Sequence, residues 1–248
     1  MRKTCFYTIY DAANEQYASM LRNSLKKFHP DIPLIEFTDK EINASGVARP
    51  DIFYMATPFY AEKLMTEGYE QIIKLDVDQI ITGSLGILLT EPHDVAVVYN
   101  WNRIDPVQYG TVGVWDINPQ HYYNNGFVSL RSREFVDHWL MLCKRSNIAN
   151  YRYREQDVLN IICHYGNYNV YILDRGNDWY GIHSKGEWPK CIMKEDIMIL
   201  PKGEDGYPEE EKTIHAIHWG GGNAGIKMNF RSYFNEDCIK RLDYLIHE

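Results

Sequence analysis

Strand-like and helix-like segments alternate along this chain, and that order restricts the fold more than any other feature of the sequence. Thr4–Tyr10 is rich in aromatic and β-branched residues and is predicted to form a strand. Apolar residues then recur at helical spacing from Tyr17 to Phe28, and Leu34–Thr38 predicts a second strand. The chain therefore opens with a predicted β-α-β unit.

The alternation continues through the rest of the sequence. Further strands are predicted at Ile72–Leu75, Val95–Tyr99, Phe127–Leu130, Val170–Leu173, Ile197–Leu200 and Ile214–His218. Helices are predicted to begin at Thr57-Pro58, and to cover Arg133–Lys144 and Glu155–His164. This order is typical of an α/β fold with a mostly parallel, Rossmann-like sheet and helices on both faces. A length of 248 residues suits one such domain over residues 1–248.

Charge and cysteine content exclude several classes of protein. A net charge of -8 without a basic stretch argues against a nucleic-acid partner. No apolar run approaches the roughly 18 residues that a membrane-spanning helix needs. Five scattered cysteines form no CxxC pair, so the sequence indicates neither a disulfide framework nor a zinc site. We expect a protein of a reducing, cytoplasmic compartment.

Two aspartates follow the predicted strand at Ile72–Leu75. Asp76 and Asp78 are separated by one residue, and side chains two apart on an extended chain point to the same side. Ligands of open α/β sheets gather beyond the carboxyl ends of the strands, where this pair is expected. Hard carboxylate oxygens suit Mg²⁺ or Mn²⁺. A D-x-D tripeptide by itself is also common in solvated loops and helix caps, so its position carries the prediction.

Six segments, in this order, resemble the GT-A glycosyltransferases, specifically the retaining group that includes glycogenin and bacterial lipopolysaccharide galactosyltransferases (glycosyltransferase family 8). The resemblance runs from Thr8 to about Gly222. It rests on the opening strand and helix, Tyr60-Ala61-Glu62-Lys63-Leu64, Ile73-Lys74-Leu75-Asp76-Val77-Asp78, Tyr123-Asn124-Asn125-Gly126-Phe127, Glu155-Gln156-Asp157-Val158-Leu159-Asn160 and Ile217-His218-Trp219. Glu155 stands where the family pattern has aspartate.

The resemblance implies a GT-A fold and transfer of a sugar from a nucleotide-diphosphate sugar, expected to be a UDP-sugar, to an acceptor hydroxyl with retention. The acceptor is a carbohydrate, a lipid-linked sugar or a protein. Mn²⁺ or Mg²⁺ is the implied cofactor, with Asp76, Asp78 and His218 as its ligands. On a continuous strand, His215 would face away from His218, so only His218 is expected to join the aspartates.

The resemblance also assigns donor-binding and catalytic residues. The donor-binding residues are Thr8, Ile9, Tyr10, Lys63, Asp76, Val77, Asn124, Asn125, Gly221 and Lys227. The catalytic candidates are Glu155, Gln156 and Asp157. Retention allows two routes, in which either Gln156 or Asp157 approaches the back face of the sugar or the acceptor enters from the side of the leaving group, and the sequence assigns no nucleophile. The glycines around Gly221 are interpreted either as a loop whose N–H groups approach the diphosphate or as a plain surface loop.

Three other classes stay open at this point. A catalytically silent relative would bind the donor without turnover, and Glu155 leaves that alternative open. A sugar nucleotidyltransferase ordinarily has a glycine- and lysine-rich loop after the first strand, where residues 8–14 here contain no glycine. A glycosidase needs a pair of carboxyl groups, one with a raised pKa, and no second carboxylate motif suggests that pair.

Overall fold

The computed structural model describes residues 2–38, 40–41, 49–100, 117–118, 121–145, 151, 153–181, 187–204, 207–218 and 230–247, with only the backbone at 49–54 and 230. Its α-helices are α1 (Glu15–Phe28), α2 (Arg49–Thr66), α3 (Ile87–Thr90), α4 (Arg133–Arg145), α5 (Glu155–Tyr165) and α6 (Glu236–Ile246). Its strands are β1 (Thr4–Tyr10), β2 (Leu34–Thr38), β3 (Gln71–Leu75), β4 (Gln79–Ile81), β5 (Val95–Tyr99), β6 (Tyr123–Leu130), β7 (Val170–Ile172), β8 (Asp178–Trp179), β9 (Ile192–Lys194), β10 (Ile197–Leu200), β11 (Lys212–Ile214) and β12 (Ala216–His218).

The main sheet has six strands in the order β2-β1-β3-β6-β5-β7. β1 runs parallel to both β2 and β3, and β5 runs parallel to β7. β6 is antiparallel to both of its neighbours, β3 and β5. The predicted α/β fold with a mixed, mostly parallel sheet is confirmed, and β3 lies near its centre.

Both faces of this sheet are covered, as near-continuous apolar strands require. Tyr7 and Ile72 pack with Trp139 on the face that carries α2, α4 and α5. Phe6 and Ile73, the alternate residues of the same two strands, pack with α1 on the other face. All five residues of β3 are consequently buried. Asp76 is therefore the first residue after a fully buried strand.

Three predicted elements differ from the structure by more than one residue. α2 begins at Arg49 and contains Pro58, so the prediction that a helix starts at Thr57-Pro58 was wrong. The buried positions around Pro58, including Tyr60 and Leu64, pack against the sheet, and that packing outweighs the local cost of a proline. β6 begins at Tyr123, four residues before the predicted Phe127, because its first residues pair with the end of β5.

The third difference concerns the predicted strand Ile214–His218. It is divided at His215 into β11 and β12, which belong to different sheets. The backbone oxygen of His215 accepts hydrogen bonds from the N–H groups of Thr82 and Gly83, at 2.9 and 3.2 Å, instead of continuing one ladder. β12 then pairs antiparallel with β4, which places His218 opposite Gln79.

The remaining described elements lie beside this frame. β8, β11, β10 and β9 form a smaller four-stranded sheet in that order. Trp188, which follows β8, is fully buried in a core cluster that also contains Leu242 of α6. All five cysteines are free thiols. None of the helices in the described part of the chain has the length and apolarity needed to cross a membrane.

Candidate metal and donor site

Three ligand-bearing side chains converge just beyond the carboxyl end of β3. His218 Nε2 lies 3.2 Å from Asp78 Oδ1 and 3.4 Å from Asp76 Oδ2. The potential ligand atoms of the three residues all lie within 4.8 Å of one another. The turn from β3 to β4 supplies the two aspartates, and the pairing of β12 with β4 brings in the histidine. We call this group the carboxylate–histidine cluster.

The carboxylate–histidine cluster is buried on one side and open on the other. The side chains of His218 and Asp78 are 4% and 10% exposed, whereas that of Asp76 is 36% exposed. Burial alone would lower the pKa of His218, but Asp78 and Asp76 outweigh it and raise that pKa to about 9. Burial likewise opposes ionisation of Asp76, but Lys74 and His218 hold its pKa well below the usual range.

The donor set fits a divalent cation such as Mn²⁺ or Mg²⁺. Two carboxylates and one imidazole are hard or borderline ligands, and such ions keep further positions open for phosphate oxygens. A ligating histidine is neutral, so a cation at the carboxylate–histidine cluster competes with a proton on His218. Of the three candidate ligands, Asp76 is the one that is partly exposed, so the cluster is open on that side.

Gly126 of β6 lies directly against two members of the carboxylate–histidine cluster and against Asn124. A Cβ atom at position 126 would lie 2.6 Å from His218 Cε1 and 2.6 Å from Asn124 Oδ1, and closer still to Asp76 Oδ2. The carbonyl oxygen of Gly126 accepts hydrogen bonds from the Asp76 N–H at 2.7 Å and from Gln79 Nε2 at 3.1 Å. A glycine is therefore required sterically, and its carbonyl fixes the turn that carries both aspartates.

The start of β6 supplies two amide side chains next to the carboxylate–histidine cluster. Asn124 Oδ1 accepts from the Gly126 N–H at 2.6 Å, and its Nδ2 donates to Asn100 Oδ1 at 2.8 Å. The register between β5 and β6 shifts at Val97/Val98, as in a β-bulge. Bulges bend a strand and redirect its side chains, and they are frequent beside functional sites.

The first turn of α5 faces the same strand. The Asn125 N–H donates to Gln156 Oε1 at 3.0 Å, and Asn125 Nδ2 donates to Glu155 Oε1 at 3.3 Å. Thr57 of α2 adds a further contact to the same oxygen of Glu155, at 3.4 Å. The structure thus brings Glu155 and Gln156 to the segment that follows Asn124.

Asp157 has different neighbours. Its Oδ1 accepts a hydrogen bond from the Tyr122 hydroxyl, and its Oδ2 accepts from the Tyr153 N–H at 2.9 Å. The residue is only 3% exposed. These contacts connect α5 to Tyr122, just before β6, and to Tyr153, just before the helix itself, so they describe a structural link. The predicted role of Asp157 in catalysis stays a prediction.

Glu155 is expected to give the protein a measurable pH dependence of stability. Burial raises the pKa of Glu155 to about 7, from an ordinary value of 4.5. Between those two values the folded state holds a proton that the unfolded state has released, so stability falls as the pH rises and levels off above about pH 7. Glu155→Gln removes this effect. Wild type is expected to lose about 2 kcal/mol of its free energy of unfolding from pH 5 to pH 8, and Glu155→Gln is expected not to show this loss.

The measurement is urea unfolding of both proteins at the two pH values. Exposed Glu210 provides the matched control, because Glu210→Gln makes the same chemical change on the surface and is expected to follow wild type. An equal difference between Glu155→Gln and wild type at both pH values would contradict the expectation.

The predicted donor-binding residues of β1 lie at the same edge of the sheet. β1 is parallel to β3, and it ends at Tyr10. Thr8 is fully buried, and the Tyr10 hydroxyl lies 2.9 Å from Glu15 Oε2 and 3.1 Å from Glu36 Oε1. Tyr10 shares a buried cluster with Val77 of the D-x-D turn. The contacts of β1 with a donor stay a prediction.

Lys63 is placed differently from the other predicted residues. Its Nζ lies 5.3 Å from the centre of the Phe37 ring, in β2, which is two strands away from β3. Gly221 and Lys227 lie outside the residues that the structure describes. The donor contacts predicted for these three residues are thus not visible in the site as described.

Sequence reasoning missed two members of this site. Lys74 is buried in β3, and its Nζ donates a hydrogen bond to Asp76 Oδ1. Gln79 is fully buried beside the D-x-D turn and holds the Gly126 carbonyl. A lysine within an otherwise mostly apolar strand was a signal for Lys74, because charged residues are almost never buried without a partner. Nothing in the sequence singled out Gln79.

No family model matches the chain, and a comparison with curated proteins gives no match. Solved structures with the same architecture do match. One is a glycosyltransferase involved in the glycosylation of the major capsid of PBCV-1, with a TM-score of 0.55 and 10% identity; the match covers 92% of this chain and 98% of that one. Another is the galactosyltransferase LgtC, solved with donor and acceptor sugar analogues. It has a TM-score of 0.55 and 12% identity, and the match covers 98% of this chain and 97% of that one.

A third similar structure is the bifunctional glycosyltransferase WbbM, with a TM-score of 0.57 and 13% identity. The match covers 99% of this chain but 52% of WbbM, so this chain spans about half of that protein. The chain therefore has the GT-A fold that these glycosyltransferases share. At such low identity the likeness defines the fold, and the chemistry has to be argued from the site.

Proposed function

We propose that this protein is a metal-dependent glycosyltransferase that moves a sugar from a nucleoside diphosphate sugar to an acceptor hydroxyl. The observation that carries the proposal is the convergence of Asp76, Asp78 and His218 at the carboxyl end of β3. Ligands of open α/β sheets bind at that edge. The fold shared with three glycosyltransferases supports the same assignment.

The leaving group of this reaction is a nucleoside diphosphate, which gains negative charge as the bond to the sugar breaks. A divalent cation held by Asp76, Asp78 and His218 supplies Lewis-acid stabilisation of that charge. We propose Mn²⁺ or Mg²⁺ as the ion and a UDP-sugar as the donor. In this proposal the diphosphate binds at the open side of the carboxylate–histidine cluster, next to Asp76.

The side chains beside the carboxylate–histidine cluster are suited to hold a sugar. Asn124 and Asn125 offer amide groups at the start of β6, and Glu155 and Gln156 face them from α5. Glu155 is partly exposed and Gln156 is 7% exposed. We propose that these four residues orient the donor sugar and that transfer proceeds with retention of anomeric configuration.

A donor panel tests the proposed function directly. The pure protein with Mn²⁺ is incubated with several UDP-sugars, and release of UDP is measured. One donor is expected to be hydrolysed slowly in the absence of an acceptor and faster when its acceptor hydroxyl is present. Chelation of the cation is expected to stop the release, and added Mn²⁺ to restore it.

The same panel separates the alternatives. Binding of a donor, measured by calorimetry, without any release of UDP would identify a catalytically silent relative. Absence of both binding and hydrolysis for every donor and both ions would contradict the proposal. Tests with other nucleotides follow the same design.

A further inference from the structure

A lysine occupies the fourth of the five positions of β3, the strand of the main sheet in which every residue is buried. The side chain of Lys74 is 5% exposed. In the sheet it lies between Tyr7 of β1 and Val128 of β6. Burying an ammonium group costs several kcal/mol unless the charge is paired. The groups that pair with Lys74 therefore indicate why a charge is kept at this position.

The main partner of Lys74 is the first aspartate of the D-x-D turn. Lys74 Nζ donates to Asp76 Oδ1, whereas the other oxygen, Oδ2, lies 3.4 Å from His218 Nε2. The two oxygens of the Asp76 carboxylate therefore have different partners: Oδ1 contacts Lys74, and Oδ2 lies next to His218. Lys74 also interacts electrostatically with Glu155.

This arrangement changes the charge that a cation would meet. Asp76 and Asp78 supply two negative charges, and a neutral His218 supplies none. Lys74 offsets one of the two at the Asp76 end. The number of ligand charges sets the affinity of a cation site. With one charge offset, the protein alone would bind a cation weakly, and the diphosphate of a donor would bring the missing negative charge.

We propose that Lys74 is a positioning residue that leaves a single oxygen of Asp76 facing the cation and keeps cation affinity low until the donor diphosphate binds. The inference rests on the proposed function, because it concerns the same cation site. Cation and nucleotide sugar then bind together, which avoids a tightly held cation in the free enzyme. The proposal predicts an uncommon pair of effects: loss of Lys74 tightens cation binding and slows turnover.

The test is calorimetric titration of Mn²⁺ alone into the wild type, Lys74→Met and Lys74→Arg. Lys74→Met removes the charge at nearly constant volume. Even with water-like screening, a unit charge a few ångströms from a divalent ion changes its binding by about tenfold. We therefore expect Lys74→Met to bind Mn²⁺ about tenfold more tightly than wild type, with a lower kcat. Lys74→Arg keeps the charge and is expected to bind Mn²⁺ like wild type.

Lys240→Met is the matched control, because Lys240 is exposed on α6 and pairs there with Glu236. It is expected to leave both Mn²⁺ binding and kcat unchanged. A merely structural role for Lys74 would weaken Mn²⁺ binding in Lys74→Met or leave it as it is, and either result would overturn the proposal. If wild type itself binds no Mn²⁺, the proposed metal-dependent function fails instead.

A second pair of variants keeps the test open if Lys74→Met does not fold. The double variant Lys74→Met/Glu155→Gln removes one positive and one negative charge together. Glu155 is then no longer a carboxylate that has lost the nearby charge of Lys74. It is compared with Glu155→Gln alone. Tighter Mn²⁺ binding in the double variant, again by about tenfold, is expected. Equal or weaker binding contradicts the role of Lys74.

Discussion

Asp78→Asn is expected to lower kcat by about a thousandfold or more and to abolish measurable Mn²⁺ binding. Asp78 supplies a full negative charge from a buried position, 3.2 Å from His218 Nε2. Asparagine keeps the shape but removes that charge, and its amide can turn a hydrogen-bond donor toward the cation. Stabilisation of the leaving diphosphate is then lost. UDP release and calorimetric Mn²⁺ titration are the two measurements.

The control for this variant is Asp196→Asn, which makes the same change at an exposed position between β9 and β10. It is expected to retain wild-type activity. Circular dichroism establishes that Asp78→Asn is folded before its kinetics are compared. A folded Asp78→Asn protein with activity close to wild type would remove the cation site from the mechanism.

Gly126→Ala is expected to lower kcat/KM by about a hundredfold or more and to cost about 1–3 kcal/mol of stability. The added Cβ would lie 2.6 Å from His218 Cε1 and closer to Asp76 Oδ2, so both ligands have to move apart. A displacement of about 1 Å in a catalytic group is enough for such a loss of activity. Activity, thermal unfolding and Mn²⁺ affinity are measured on the same preparation.

Gly86→Ala provides the matched glycine-to-alanine control. A Cβ at Gly86 meets only the Ser84 hydroxyl, at 3.2 Å, and the backbone already has right-handed helical angles. Its stability and activity are expected to stay close to wild type. If Gly126→Ala behaves like Gly86→Ala, the close packing of Gly126 against the carboxylate–histidine cluster has no functional weight.

The sequence predicted the fold best where local periodicity and burial agree. β1 and β2 have the predicted bounds, and α1 ends at Phe28 as expected. Local signals failed where long-range contacts decide the backbone. Pro58 was treated as a helix start, but packing of α2 on the sheet carries the helix through it. The division at His215 depends on hydrogen bonds from Thr82 and Gly83, which no local pattern reports.

The candidate site shows the same division. Asp76, Asp78 and His218 were predicted together, and the structure brings them within 4.8 Å of one another. The spacing of Lys74 and Asp76 also places them on one side of an extended chain, so their contact was open to prediction. The steric role of Gly126 was not, because it depends on the registers of β6 with β3 and of β12 with β4.

The pairing of β12 with β4 brings the histidine of the carboxylate–histidine cluster to aspartates that lie far away in the sequence. Asp76 and Asp78 lie between β3 and β4, whereas His218 ends β12, the final strand of the described part of the chain. A growing or partly folded chain that has reached β11 carries two carboxylates and no imidazole beside them. The three candidate ligands come from distant parts of the sequence, so a cation bound by all of them would join those parts as a cross-link does.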